Sequence, residues 1–232
     1  MGQIALDQRQ AHHLRDVLRL SAGEPVELFD DAGSVAAGVI HSISSDHVIV
    51  EVQELSPPSE QVSFAVASAV PKGERADWMV EKLSEIGAAE YIPLISERSV
   101  VVPQGKNKLE RWRRIATESA KQSRRRGVMR VAEAIPLNAA LELVSESTSG
   151  WYFSTSVAAQ PIHQLLPFRE TGKLVLFIGP EGGWSESEIE QFERHGVVAV
   201  QLTTTILRVE TAAIAAAAMV ACSLGDSRGT SG

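Results

Sequence analysis

Two patterns of hydrophobic and polar positions follow one another along the chain. Up to about residue 56, short runs rich in Val and Ile are separated by turns of Asp, Gly and Ser. This pattern predicts β-strands at 26–29, 35–43 and 47–52, and with them a small β-barrel. The segment Ser56-Pro57-Pro58-Ser59 predicts a stiff linker, so we place the boundary of a first domain, 1–58, there.

A helix is predicted ahead of these strands, over residues 11–20. At helical spacing Leu14, Val17 and Leu18 share one face. Arg15 and Arg19 lie together on another face, because residues four apart are neighbours on a helix. The segment therefore predicts an apolar face for packing and a basic face beside it.

From residue 61 the pattern changes to strands that alternate with helices. Strands are predicted at 62–70, 91–95, 129–132, 151–154, 174–179 and 197–202, and helices at 74–86, 107–126, 137–146, 185–195 and 210–224. Such alternation predicts an α/β domain at 59–225 with a mostly parallel sheet, and periodicity alone leads to an ordinary doubly wound sheet. Residues 226–232 predict a disordered tail.

The last predicted helix is apolar on all sides, because Ala dominates residues 211–222. We expect it to be buried all round, with other backbone packed against its small side chains. Its apolar run is well short of the roughly 20 residues that cross a bilayer, so no membrane span is predicted.

The single cysteine, Cys222, excludes internal disulfides, and the N-terminus lacks the features of a secretion signal. Both observations favour a cytoplasmic location for the protein.

The formal net charge of −7 conceals a local excess of positive charge. Half of the 22 Lys and Arg residues lie between positions 98 and 130, against two acids. Helix 107–126 places apolar residues, Trp112 among them, on one side and basic residues on the opposite side. A basic face suits phosphate contacts, although a charge run is more often only a solvated face. The candidates for such contacts are Arg111, Arg114, Lys121, Arg124, Arg125 and Arg126.

The most informative stretch is 173–183, Lys-Leu-Val-Leu-Phe-Ile-Gly-Pro-Glu-Gly-Gly. Its apolar half is typical of a parallel strand that is buried on both faces. Pro180 ends the strand, and the glycines at 179, 182 and 183 permit a turn that runs close to a ligand. The turn matches neither a dinucleotide fingerprint nor a P-loop, and taken alone it is equally well explained as a tight structural turn.

This turn and a second segment both lead from a strand end into a helix. Ser185 and Glu188 form the capping-box signature of the helix after the turn. The second segment, Leu-Thr-Thr-Thr-Ile-Leu-Arg-Val-Glu-Thr-Ala at 202–212, places Arg208, Glu210 and Thr211 at the start of the last helix. Loops at the carboxyl ends of parallel strands face the same crevice, so the two segments predict one binding site.

Two motifs in this order, Ile-Gly-Pro-Glu-Gly-Gly-Trp-Ser-Glu-Ser-Glu-Ile at 178–189 and Ile-Leu-Arg-Val-Glu-Thr-Ala at 206–212, resemble the signature of the RsmE family. Its members are bacterial enzymes that use S-adenosylmethionine to methylate N3 of a uridine in small-subunit ribosomal RNA. The resemblance covers nearly the whole chain. It extends to His-His-Leu at 12–14, Val-Leu-Arg at 17–19, Lys-Gly-Glu-Arg at 72–75, Lys-Leu-Ser-Glu-Ile-Gly at 82–87, Arg-Trp at 111–112 and Gln-Ser-x-Arg at 122–125.

The resemblance implies a fold and a set of partners. It implies a PUA-like β-barrel that helps to hold RNA, followed by a SPOUT domain whose C-terminal segment is threaded into a trefoil knot. It also implies a homodimer, S-adenosylmethionine as cofactor, and small-subunit ribosomal RNA or the assembled small subunit as substrate. Methyl transfer from a sulfonium requires no metal, and neither a metal nor a membrane partner is expected.

The chemistry of the acceptor and the resemblance together assign residue roles. N3 of uridine carries a proton, so a site must help to remove it and stabilise charge on O2 and O4. We expect Arg208 as the cationic stabiliser or as a residue that orients the base, and Glu181 or Glu210 as the acid–base group. An Arg208–Glu210 ion pair that caps the last helix is the alternative.

The expected cofactor-binding residues are Ile178, Gly179, Pro180, Gly182, Gly183, Leu202, Thr203, Ile206, Leu207 and Thr211. The expected RNA-binding residues are the six cations of the basic face with His12, Arg15 and Arg19. For His12, packing within the barrel is an equally good interpretation. Trp184 follows the cofactor turn and is assigned either to the core or to the site.

The sequence departs from the family at Thr203 and Thr205, where Gly and Arg are usual. The property that these departures affect is the affinity for the cofactor, because glycine permits backbone angles that a β-branched residue does not. A basic segment common at the start of the family has no counterpart ahead of Gly2, so we expect fewer RNA contacts from this end. Two alternatives stay open, a SPOUT methyltransferase for another RNA base and a non-catalytic RNA-binding protein with an altered cofactor pocket.

Overall fold

The computed structural model describes residues 2–30, 34–44, 47–56, 63–101, 106–125, 127–166 and 172–225. The chain divides into two compact units, Met1–Ser59 and Glu60–Gly232. Linker residues 57–59, Arg126 and the predicted tail at 226–232 lie outside the described residues. No helix within the described ranges combines the length and apolar character that a membrane crossing requires.

The N-terminal unit contains a four-stranded antiparallel sheet in the order β1-β4-β3-β2. The strands are β1 (Gln3–Leu6), β2 (Pro25–Phe29), β3 (Val35–Ile43) and β4 (Val48–Ser56). The register between β3 and β4 shifts at Ala37/Gly38, where a Cβ on Gly38 would overlap the Glu51 carbonyl oxygen. Only glycine therefore fits this irregularity. The core of the unit contains Leu6, Ala11, Ile40, Val48 and Val50.

The predicted helix at 11–20 has different bounds in the structure. An α-helix, α1 (Gln8–His12), begins early because Asp7 and Gln10 form a capping box, and a π-helical turn, His13–Val17, follows it. The expected apolar face is wrong, since Val17 and Leu18 are 58% and 51% exposed. Arg19 lies beyond the helix with a φ of 54°, so it does not share a helical face with Arg15.

The C-terminal unit is built on an eight-stranded sheet whose pairings are all parallel. The strand path is β10-β12-β9-β11-β5-β6-β7, with β8 also paired to β6. The strands are β5 (Ser63–Ser68), β6 (Glu90–Ile95), β7 (Arg130–Val131), β8 (Ile135–Pro136), β9 (Thr148–Phe153), β10 (Gln160–Pro161), β11 (Lys173–Ile178) and β12 (Val198–Gln201). The helices are α2 (Arg75–Ile86), α3 (Lys106–Gln122), α4 (Leu137–Leu141), α5 (Ile162–Leu165), α6 (Glu186–Arg194) and α7 (Val209–Gly225).

The predicted fold class is confirmed, because an antiparallel β unit precedes an α/β unit with a mostly parallel sheet. Strand β11 pairs with β5 on one side and β9 on the other, and its residues from Leu174 to Ile178 are buried. Strand β12 pairs with the far side of β9. The turn after β11 and the loop after β12 therefore emerge at the same carboxyl edge of the sheet.

Helix α7 is not buried all round in the single chain, which corrects the expectation from its apolar sequence. It packs on α2, β5 and β11 through small side chains such as Ala213, Ala216 and Ala217, which are 0% exposed. Thr211, Ala218 and Cys222 are exposed. The sequence pattern does not reveal this open stripe. Ala occurs on both the covered and the open face, so α7 has no amphipathic period.

Four further elements differ from the sequence prediction. Helix α3 ends at Gln122 rather than 126, because the Ser123 hydroxyl donates to the Ser119 carbonyl and Arg124 turns to a φ of 53°. The predicted helix at 137–146 ends at Leu141. Strands β8 and β10 contain two residues each, too few for a hydrophobic period to reveal.

Candidate active site

The turn after β11 is a tight turn that leads into α6. The Gly183 N–H donates to the Pro180 carbonyl at 2.8 Å, and Gly183 has a φ of 69°, which favours glycine. The predicted capping box is confirmed, since the Ser185 hydroxyl accepts from the Glu188 N–H and the Glu188 carboxylate accepts from the Ser185 N–H. The chain therefore changes from strand to helix within a few residues.

Trp184 fixes this turn against the sheet, which settles its role as a packing residue. Its indole Nε1 donates to the Phe153 carbonyl at 3.0 Å, at the end of β9, and its ring meets Phe192 edge-on at 4.8 Å. A Cβ on Gly179 would lie 2.9 Å from Cε2 of the indole. Glycine at 179 is therefore required by the close approach of the Trp184 ring.

Arg98 holds the other side of the turn, a role that charge counting missed. Its Nη1 donates to the carbonyls of Gly182 at 2.8 Å and Trp184 at 3.3 Å. Beside it, the Glu97 N–H donates to the buried Glu188 carboxylate at 2.8 Å. The position of Arg98 just after β6, at the carboxyl edge of the sheet, is the signal that could have indicated this contact.

The loop after β12 is closed by its own threonines. Thr203 Oγ1 accepts from the Thr205 N–H at 3.2 Å and donates to the Thr205 carbonyl at 2.9 Å. Among the described non-glycine residues only Arg19 and Arg124 have a positive φ, so Thr203 occupies the usual glycine position without backbone strain. Ile206, in the same loop, is 86% exposed.

An open groove of about 340 Å³ lies where this loop enters α7. We call it the α7 groove; it is lined by Glu74, Arg75, Trp78, Arg208, Glu210 and Thr211. The structure thus brings Arg208, Glu210 and Thr211 together, as predicted from the sequence, and adds three residues from the start of α2.

Glu210 is the buried charge of the α7 groove, with 5% of its surface exposed. Its Oε1 lies 3.7 Å from Nε of Arg75, and its Oε2 is buried without a hydrogen-bond donor from any residue described. Arg208 is exposed and forms no ion pair within the described part of the chain. The partner of Glu210 is therefore Arg75, and the alternative of an Arg208–Glu210 cap is wrong.

The remaining site candidates occupy different surroundings. Glu181 is exposed at the tip of the turn and does not line the α7 groove. Ile178 is 2% exposed in the main core, and its carbonyl accepts from the Ala69 N–H at 2.9 Å. Leu202 and Leu207 are half-buried, and Pro180 is buried.

The cations of the basic face divide into bonded and free groups. Arg111 pairs with Asp77 at 2.5 Å, and Asp77 also accepts from Nε1 of the buried Trp112 at 2.8 Å. Arg125 donates to the Ser84 carbonyl at 3.1 Å, and burial lowers its pKa to about 10. Exposed cations without an ion pair to a described residue are Arg114, Lys121 and Arg124.

In the N-terminal unit, Asp16 pairs with two of the predicted RNA-binding residues, His12 and Arg15. Arg15 donates to both Asp16 oxygens at 2.9 and 2.6 Å, and His12 Nδ1 lies 2.5 Å from the same carboxylate. The hydrogen bond from Arg15, followed by that from His12, lowers the Asp16 pKa to about 2. Because the His12 side chain is 65% exposed, packing within the unit does not explain it.

Comparison with known proteins identifies the family. A family model described as an RNA methyltransferase domain matches residues 58–221, and one described as an RNA methyltransferase PUA domain matches 6–53. Ribosomal RNA small subunit methyltransferase E of Bacillus subtilis is 31% identical and aligns over 88% of this chain and 83% of its own. The chain belongs to the ribosomal RNA small subunit methyltransferase E family. The Synechocystis member is also 31% identical, over 94% of this chain and 72% of its own.

Solved structures of the family have the same fold. A ribosomal RNA small subunit methyltransferase E from Neisseria gonorrhoeae, bound to S-adenosyl methionine, matches with a TM-score of 0.77 at 28% identity, over 94% of this chain and 90% of its own. A probable rRNA-methyltransferase from Porphyromonas gingivalis matches with a TM-score of 0.80 at 27% identity, over 97% of this chain and 94% of its own. Within the described residues of this chain, no cluster of three or more His, Cys, Asp or Glu could hold a metal.

Gly179→Ala should destabilise the C-terminal unit, because the new Cβ would press on the Trp184 indole. We expect the free energy of unfolding in urea to fall by about 1–3 kcal/mol. Trp184→Leu removes the aromatic ring that approaches position 179, so the same alanine should cost less in that background. An equal cost in both backgrounds would refute the steric explanation.

The carboxyl group of Asp16 should titrate near 2 in an NMR pH titration, well below its ordinary 3.8. Because the native pKa is depressed, pairing of Asp16 stabilises the native state above pH 3.8, and this stabilisation is lost as the pH falls through about 2. Arg15→Ala should move the Asp16 pKa towards its ordinary value, whereas Arg19→Ala should leave it unchanged. A titration near 3.8 in the unmodified protein would contradict the pairing.

Proposed function

We propose that this chain transfers the methyl group of S-adenosylmethionine to N3 of a uridine in small-subunit ribosomal RNA. The observation that carries the proposal is the α7 groove, where a buried carboxylate with a free acceptor oxygen and an exposed Arg meet in a member of an RNA methyltransferase family. The names of the B. subtilis and Synechocystis relatives support ribosomal RNA as substrate. The N. gonorrhoeae neighbour supports the cofactor.

The residues at the carboxyl edge of the sheet fit an adenosine-containing cofactor. A Cβ on Gly183 would meet no atom within 4 Å, so one face of the turn is open to a ligand. The loop after β12 offers the exposed Ile206 and the half-buried Leu202 and Leu207. Apolar side chains with nearby backbone groups suit a flat purine with polar edges. We assign cofactor binding to these residues with Gly179, Pro180, Gly182, Thr203 and Thr211, and treat Ile178 as their support.

When bound, S-adenosylmethionine supplies an activated methyl group on a sulfonium. The protein has to prepare the acceptor, because the N3–H of uridine is a poor nucleophile. Glu210 Oε2 has no donor from the described residues, so it is able to accept the N3 proton. Arg208 is exposed in the same groove and would stabilise negative charge on O2 or O4. Glu181, at the tip of the turn, is the second candidate base.

Substrate binding uses the free cations of α3 and its C-terminal turn. Arg114, Lys121 and Arg124 are exposed and carry no ion pair with a described residue, which leaves them available to phosphates. The open stripe of α7 at Ala218 and Cys222, where the side chains are small, supports a homodimer in which a second copy covers the C-terminal half of this helix. The protein would act in the cytoplasm, because its proposed substrate, ribosomal RNA, is located there.

Transfer of labelled methyl to small ribosomal subunits that lack the modification tests the proposal. Nucleoside analysis should show the label on 3-methyluridine. Arg208→Ala and Glu210→Gln should each lower kcat by about 100-fold or more, as for loss of a charge stabiliser or general base. Arg113→Ala is the control, because Arg113 pairs with Glu133 on the surface.

Other outcomes would identify the alternatives. Label on a different nucleoside would indicate a SPOUT methyltransferase for another base. Absence of transfer, together with no rise in melting temperature at saturating S-adenosylhomocysteine, would indicate a non-catalytic RNA-binding protein, because a ligand of the native state must stabilise it. Either result would overturn the proposed function.

Loss of the free cations should weaken RNA binding and its dependence on salt. The double variant Arg114→Ala/Lys121→Ala should reduce the slope of log affinity against log salt by about 1–2, since each lost phosphate contact reduces it by 0.7–0.9. Lys173→Ala/Arg194→Ala, an equal change of charge at other exposed positions, should leave the slope nearly unchanged. Equal slopes for the two double variants would exclude the α3 face as the RNA contact.

A further inference from the structure

We infer that the α7 groove recognises the target base itself, with Trp78 as a stacking platform and Arg75, Glu210 and Arg208 as the readers of the imide edge of uracil. The inference rests on the proposed function and deepens it, because it names the side chains that choose the base. Arg75 and Trp78 become specificity-determining residues at the start of α2.

Trp78 has an unusual environment for a tryptophan in this chain. It is 47% exposed and lines the α7 groove, whereas the following residues Met79 and Val80 are 0% exposed. Trp112 and Trp184 are buried, and each donates its indole N–H to a partner within the fold. Packing explains those two residues. An aromatic face exposed in a groove with two arginines is instead suited to stack on a nucleobase.

Arg75 and Glu210 form a loose pair that leaves hydrogen-bonding capacity free. Their closest atoms, Nε and Oε1, are 3.7 Å apart, longer than a hydrogen bond, and the Arg75 side chain is 48% exposed. Glu210 Oε2 is buried without a donor from the described residues. Leaving such an acceptor unsatisfied is costly. The Cγ–Cδ torsion of Glu is broad, so a small rotation would turn either oxygen to a donor on a bound base.

The hydrogen-bonding groups in the groove match one base edge. The imide edge of uracil presents an acceptor, a donor and an acceptor at O2, N3–H and O4. The groove supplies an acceptor, Glu210, and two donors, Arg75 and Arg208. Cytosine carries a lone pair at N3 and an amino donor at C4, so it would place its N3 lone pair against the carboxylate. A site with this arrangement rejects the wrong base through an unpaired polar group.

Binding of fluorescently labelled oligouridylate and oligocytidylate to the full-length protein tests the inference without relying on turnover. Trp78→Ala should weaken binding of both RNAs by a similar factor of about 5–100, because stacking tolerates any base. Trp78→Phe should restore most of the loss. Val157→Ala, which truncates an exposed apolar side chain elsewhere, should change neither affinity.

Glu210→Gln and Arg75→Gln should instead reduce the preference for oligouridylate over oligocytidylate, by about 10-fold or more. Circular dichroism and melting temperature of each variant would establish that it is folded. Unchanged preference in both folded variants, or equal affinity of the unmodified protein for the two RNAs, would overturn the assignment of the imide readers.

Trp78 could alternatively contact a second copy of the chain, and sedimentation distinguishes the two roles. If Trp78→Ala dissociates an oligomer and leaves RNA affinity unchanged, the stacking role is wrong. The proposed function fails separately, through absence of 3-methyluridine in the transfer assay with the unmodified protein. If 3-methyluridine forms while the groove variants bind both RNAs like the unmodified protein, the function stands and this inference falls.

Discussion

The close approach of the Trp184 indole to the backbone at Gly179 fixes the turn after β11 against the sheet. The indole bonds to the end of β9 and packs against α6, while Arg98 holds the opposite side of the turn from the segment after β6. Contacts from three elements therefore position the turn within a single chain. A turn held in this way can present its backbone to a ligand without reorganising, which is the condition for tight and specific binding.

Positive charge in the 98–130 region serves two purposes. Arg98 and Arg125 donate to backbone carbonyls, and Arg111 completes a small network with Asp77 and Trp112. Those cations support the fold, and burial of Arg125 is reflected in its lowered pKa. Exposed cations without an ion pair to a described residue, such as Arg114 and Lys121, are the ones left for contacts with phosphates. A count of basic residues thus overstates the surface available for phosphates. Some of these side chains donate hydrogen bonds to backbone carbonyls, and others pair with carboxylates.

Glu210 is a buried charge that this unit has to accommodate. A buried carboxylate oxygen without a donor costs about 1–3 kcal/mol, and its position in the first turn of α7 offsets part of that cost through the helix dipole. The small side chains of α7 allow α2 to pack closely, which brings Arg75 and Trp78 to the same groove. Each unsatisfied polar group in a folded protein requires an explanation, and for Glu210, which lines an open groove, a bound ligand is one.

Local features of the site were determined by the sequence itself. The apolar run of β11 and the capping box of Ser185 and Glu188 depend on neighbours only a few residues away, so residue order was enough to predict them. The family signature located Arg208 and Glu210 for the same reason. Tertiary structure alone decided that Glu210 pairs with Arg75, that Arg98 holds the turn and that Trp184 packs rather than binds. These contacts join elements far apart in the chain, and their formation depends on the order of strands in the sheet, which no local pattern of residues specifies.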